Sequence, residues 1–149
     1  MSKSTGNSRF RAVNIEDFDE NAYFDNIEDI GSTGPDRTRV MELLNGGKKQ
    51  EALQAVLQNP PYGSKNETLR KMCSSLVTKV LSSFKSIETE KAVRSLDQEM
   101  LDTLMQYIYK GFEAPSTQSC SVLLTWHEKV HAVGGNGCIT RALTTRKPL

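Results

Sequence analysis

The sequence predicts an all-α fold: a compact array of about seven helices with antiparallel neighbours, preceded by an extended N-terminal arm. Three observations carry this. From Asp36 onward, apolar residues recur at helical spacing, three and four apart. Cap and stop residues punctuate that pattern at short intervals. No segment alternates with the period of two that a half-buried strand needs. The division falls near residue 35, giving an arm over 1–35 and a helical core over 36–149.

The elements follow in order. Asp36 caps a short helix carrying Val40, Leu43 and Leu44, which Gly46-Gly47 ends. A second helix carries Leu53, Val56 and Leu57 and stops at Asn59-Pro60-Pro61, where proline removes a donor and disfavours a helical residue before it. In the third, Ser64 and Glu67 have the spacing of a capping box. Leu69, Met72, Cys73, Leu76, Val77, Val80, Leu81 and Phe84 then form one apolar stripe over four turns. Ser86 is placed to cap a fourth helix running to Leu96, with Glu88 and Glu90 near its positive end. Asp97 caps a fifth, with Leu101, Leu104, Met105, Ile108 and Phe112 inward. Pro115-Ser116 opens a sixth, with Val122, Leu123, Trp126, Val130 and Val133 inward. Gly134-Gly135 breaks it, and a last short helix carries Ile139, Ala142 and Leu143. Pairs of helices hint at a solenoid, but no fixed repeat period supports one.

The chain has 149 residues, of which 37% are apolar and 25% charged, ordinary values for a globular protein with a core of its own. No apolar run approaches the ~20 residues that span a bilayer, and the first residues lack the apolar stretch of a secretion signal. Three cysteines, Cys73, Cys120 and Cys138, with no C-x-x-C pair, fit a reducing cytosol or nucleus. Asn66-Glu67-Thr68 spells a glycosylation acceptor, read here as chance in the absence of a secretion signal.

The net charge of +1 conceals an asymmetry. Residues 1–35 hold three bases and seven acids, a balance of −4; residues 36–149 hold 16 bases and 11 acids, a balance of +5. The arm also carries Phe10, Val13, Ile15, Phe18, Tyr23, Phe24 and Ile27 among its acids. A solvated spacer has no use for seven large apolar groups, whereas a segment that becomes ordered on a partner does. The +5 core raises nucleic-acid binding as a rival. Its bases are scattered over the helices, with only Lys79, Lys85, Lys91 and Arg94 able to line one side, and solvated helix faces carry such charges routinely.

One motif points to catalysis. His127-Glu128-Lys129-Val130-His131 matches H-E-x-x-H, in which two histidines one turn apart bind zinc and the glutamate activates a water. A catalytic zinc needs a third protein ligand. Gly137 stands where the extended motif places its third histidine, residues 132–149 contain no acid, and the chain has only two histidines. On a helical wheel centred on the core face, His127 falls at the margin, and His131 and Glu128 fall in the polar half, at about 140°, 180° and 240° from Val122. The motif therefore faces water or a partner. No phosphate-binding loop or nucleophile elbow is present, so no catalytic, metal or cofactor residues are assigned. In YIYKGFEAP (107–115), Ile108 and Phe112 are inward, and Tyr107, Tyr109 and Lys110 fall towards the flanks. Tyrosines at a helix end suit either a docking surface or a core margin.

Several blocks together carry a family resemblance: RFRAVNIEDFDEN (9–21), EALQAVLQNPP (51–61), EKAVRSLD (90–97), YIYKGFE (107–113) and LTWHEK (124–129). In this order they resemble subunit 5 of the actin-related protein 2/3 complex, the assembly that nucleates branched actin filaments. The resemblance implies a non-enzymatic, cytoplasmic scaffold of the cytoskeleton without cofactor. It implies a helical core that docks on the WD-repeat propeller subunit and subunit 4, an arm that reaches the second actin-related protein, and actin as an indirect partner. It does not imply contact with nucleic acid or membrane. Carried over, Arg9, Phe10, Arg11, Val13, Phe18 and Tyr23 are arm residues that meet a partner, and Tyr107, Tyr109 and Lys110 belong to a family block. His131, residues 27–35 and YGSKNETLRKMC (62–73) depart from the family pattern.

Overall fold

The computed structural model describes residues 34–113, 117–146 and 149, with backbone alone at 117 and 118. Arg9, Phe10, Arg11, Val13, Phe18 and Tyr23 lie outside the described residues, as does the Pro115-Ser116 helix start. The described residues form six helices: α1 (Arg37–Asn45), α2 (Lys49–Leu57), α3 (Glu67–Ser82), α4 (Ser86–Arg94), α5 (Gln98–Glu113) and α6 (Thr117–Thr144). The described residues contain no strand, and no helix among them is long and apolar enough to cross a membrane. The expected sixth and seventh helices are the two arms of α6, which bends at Gly135, where φ is 67° and ψ is −171°.

Two expected caps form as read. Asp36 Oδ1 accepts from the Thr38 and Arg39 amides at 2.9 and 3.3 Å. Asp97 Oδ1 accepts from the Met100 amide at 2.8 Å. Two others shift. The cap of α3 is Asn66, whose Oδ1 accepts from the Leu69 amide at 3.1 Å. Ser64 is buried in the preceding loop and accepts from the Asn66 amide at 3.2 Å. With helical dihedrals starting at Glu67, that residue is too early in the helix to complete a box with Ser64. The cap of α4 is Lys85 rather than Ser86: Glu88, three residues on, reaches back and accepts from the Lys85 amide at 3.1 Å. A side chain that closes the turn from inside removes the need for a serine at the cap.

α5 runs along α6 and also touches α2 and α3, so it lies at the centre of the array. Leu53, Val77, Val80, Leu81, Val93, Leu104, Met105, Ile108, Leu123 and Trp126 fill the core. Trp126 donates from Nε1 to the Leu81 carbonyl at 3.2 Å and meets Phe84 edge to face, centroids 5.3 Å apart. Three residues read as inward are not. Met72 is 48% exposed, in an open groove between α1 and α3 that it lines with Met41 and Leu76, because the short α1 covers only part of α3. Val133 is 44% exposed in the turn before the α6 bend. Past the bend, Cys138 is the buried residue and Leu143 is exposed, since Gly135 resets which face meets α5.

The segment after Gly135 is held by polar contacts to α5. Arg141 grips Asp102 with two hydrogen bonds, Nε to Oδ2 at 2.6 Å and Nη2 to Oδ1 at 2.9 Å. Cys138 donates to the Leu101 carbonyl at 3.4 Å. Burial by itself pushes the Asp102 carboxyl up, but hydrogen bonds from Arg141, Cys138 and Gln98 outweigh it and hold the carboxyl below its ordinary value. Burial, with the Asp102 carboxylate beside it, pushes the Cys138 thiol up to about 12. A depressed carboxyl stabilises the fold above its unfolded value of ~3.9, and that contribution is lost as pH falls through the lower folded value. Asp102→Asn is therefore expected to be less stable than the parent at pH 7, with the gap closing as pH falls below ~4. Urea midpoints measured from pH 7 to pH 3 check this, and a gap of constant size would refute it.

Candidate docking surface

Half-buried aromatic groups converge where the end of α5 crosses the middle of α6. Gly111 permits the approach: a Cβ there would stand 2.7 Å from Leu123 Cδ1, inside any van der Waals contact. On α5, the half-buried Tyr109 meets Phe112 edge to face, centroids 6.0 Å apart. It meets His127 of α6 in the same way at 5.7 Å, and its hydroxyl lies 3.3 Å from His127 Nε2. Phe112 reaches the same imidazole at 6.3 Å. His127 then stacks on His131, and His131 Nε2 lies 2.8 Å from Asn136 Oδ1. Leu124, 60% exposed, stands one turn before His127. The result is a continuous aromatic seam across two helices with an exposed leucine at its edge.

The flank residues of α5 separate. Tyr109 belongs to the seam. Lys110 faces a groove towards α3, which it lines with Glu67, Lys71 and Ser74, and pairs with Glu113 at 2.6 Å. Tyr107 does not reach the surface: it is 3% exposed, and burial pushes its hydroxyl up. Cys73 of α3 and Tyr62 of the α2–α3 loop stand near its hydroxyl, so a residue off the α6 face still meets protein. Phe112 packs against the core as its spacing predicts and also meets the seam, whereas Leu124 is exposed. A leucine about 200° around the wheel from Val122 is the signal that a second, outer apolar face exists there.

The His-Glu-Lys-Val-His run lies on the same surface. Glu128 is exposed and lies 3.5 Å from Lys129. Among the described residues, no three histidines, cysteines or acids are grouped to hold a metal ion. The basic residues are interleaved with acids: Arg94 pairs with Glu90 at 2.7 Å and Lys49 with Glu88 at 3.0 Å. Neither arrangement forms a dense cationic stripe.

A small helical body whose two-helix seam offers aromatic rings and an exposed leucine is built as a protein-binding module. Residues 9–149 match the family model described as ARP2/3 complex 16 kDa subunit (p16-Arc). The chain belongs to that family. It is 51% identical over 148 residues to actin-related protein 2/3 complex subunit 5-C of Xenopus laevis, with 99% of each chain covered. It is 48% identical over 151 residues to actin-related protein 2/3 complex subunit 5-like protein of Bos taurus, again with 99% of each covered. A more distant relative, probable actin-related protein 2/3 complex subunit 5 of Caenorhabditis elegans, is 34% identical over 145 residues, spanning 96% of this chain and 99% of that one.

Proposed function

We propose that the chain is a non-catalytic scaffold subunit of a cytoplasmic actin-related protein 2/3 complex. Its helical core docks on the WD-repeat propeller subunit and subunit 4, and its N-terminal arm tethers the second actin-related protein, so that the complex nucleates branched actin filaments. The observation that carries this reading is the family match, which runs through the arm from residue 9 as well as through the core. Composition supports the division of labour. The arm's large apolar groups sit among seven acids, and a segment of that kind gains most by ordering on a neighbour. A core held on one body and an arm on another raises the effective concentration of the second partner without a large new interface. In this scheme Arg9, Phe10, Arg11, Val13, Phe18 and Tyr23 contact the second actin-related protein. Tyr109, beside Leu124 and Phe112, and Lys110, on the side towards α3, belong to the core's docking face, and Tyr107 supports that face from within.

The test is reconstitution of the complex with chains lacking residues 1–33. The shortened chain is expected to keep its helical circular dichroism and to enter the complex, with the second actin-related protein lost at least about tenfold more readily on dilution. Full retention of that protein would overturn the tether. Leu124→Glu in the intact chain is expected to do the opposite: the subunit stays folded but fails to join the WD-repeat subunit and subunit 4. Normal assembly of this variant would remove the seam from the docking face.

A further inference from the structure

The docking reading uses His127 as an aromatic ring and leaves unexplained why a second imidazole stands one turn further on. His127 and His131 stand at i and i+4, so both rise from the same side of α6. Their rings lie 15° from parallel with centroids 6.4 Å apart. His131 is exposed and His127 half-buried, so an ion from solvent reaches both. Metal–nitrogen bonds of ~2.1 Å span such a gap once the two rings turn towards each other. A third donor is in place, because Asn136 Oδ1 lies 2.8 Å from His131 Nε2. An ion seated on that nitrogen has an amide oxygen beside it. The contact it displaces on the other ring, from Tyr109 to His127 at 3.3 Å, is long for a hydrogen bond.

We propose that His127 and His131 form a chelating site for a late first-row divalent cation on the outer face of α6, with Asn136 and water completing the coordination. The donor set selects the ion class. Two neutral imidazoles and one amide oxygen suit Ni²⁺, Cu²⁺ or Zn²⁺. Mg²⁺ and Ca²⁺ prefer all-oxygen shells rich in carboxylates, and the nearest acid, Glu128, is engaged with Lys129. His127 also belongs to the aromatic seam, so an ion held there draws its ring from Tyr109. The ion site itself stands on the imidazole geometry alone and not on the docking reading.

The test is titration of the full chain with Ni²⁺, which does not oxidise the free thiols. One ion per chain is expected. At a hundredfold excess over its Kd, the ion is expected to raise the thermal midpoint by about 5–10 °C. His131→Ala should weaken binding at least about tenfold, since a second donor on the same helix acts at high local concentration. The decisive variant combines His131→Ala with Ala132→His. It keeps two histidines but moves one by ~100° around the helix, and it is expected to bind as weakly as His131→Ala alone. Equal affinity for the parent and this shifted variant would overturn the chelate. So would loss of binding in Cys120→Ser, or no saturation below ~1 mM.

Discussion

Trp126→Ala is expected to lower stability by about 3–5 kcal/mol, the range for removing a buried tryptophan that its surroundings do not refill. The side chain is 1% exposed and lies where α6 meets α3. Two separate losses are combined in this substitution. The ring leaves a void against Phe84, Leu81 and their neighbours, and the edge-to-face contact at 5.3 Å disappears. The Leu81 carbonyl also loses its indole donor, although the Phe84 amide still reaches it at 3.3 Å. Trp126→Phe separates the two. It keeps much of the apolar volume and removes the donor, and is expected to cost about 1–2 kcal/mol. Urea unfolding followed by circular dichroism checks both, because the only tryptophan is gone in each variant. A loss below ~1 kcal/mol for the alanine variant would mean that the helices close over the void.

Gly135→Ala is expected to cost about 1–3 kcal/mol for a different reason. A Cβ at this position would meet no atom within 4 Å, so space is not the obstacle. The backbone is: φ of 67° with ψ of −171° lies in a region that only glycine occupies without strain. Alanine relieves that strain by letting α6 run straight, and a straight α6 carries Cys138 and Arg141 away from Leu101 and Asp102. Hydrogen exchange is therefore expected to quicken in residues 136–144 and along the first turns of α5, while amides around Trp126 keep their protection. Unchanged exchange together with unchanged unfolding midpoints would show that the bend is not strained.

Both predictions fall on residues whose roles were readable in advance. Trp126 lay on the apolar stripe of its helix, and Gly134-Gly135 marked the break. Asp36 and Asp97 cap as their positions imply, since a carboxylate next to a helix's first free amides has its partner within three residues. The caps at Ser64 and Ser86 were misplaced by one or two residues. There the competition was equally local: Asn66 takes the Leu69 amide and Glu88 the Lys85 amide, so each helix starts one or two residues from the serine.

The docking seam was only half legible. Tyr109, His127 and the marginal position of the zinc-like motif came from spacing on single helices. That Tyr109, Phe112 and His127 share one surface required knowing that α5 and α6 cross at Gly111, and nothing within either helix states which residues of the other it will meet. Tyr107 shows the converse. Its place on the wheel is a flank, and only the packing of α2 and α3 on the far side of α5 turns that flank into core. Sequence alone determined the all-helical class, most helix limits, the bend and the charge contrast between arm and body, because periodicity, caps and glycine conformations act over one or two turns. Tertiary structure alone decided which flanks are buried and which rings join into a surface, because burial depends on neighbours brought together from tens of residues away.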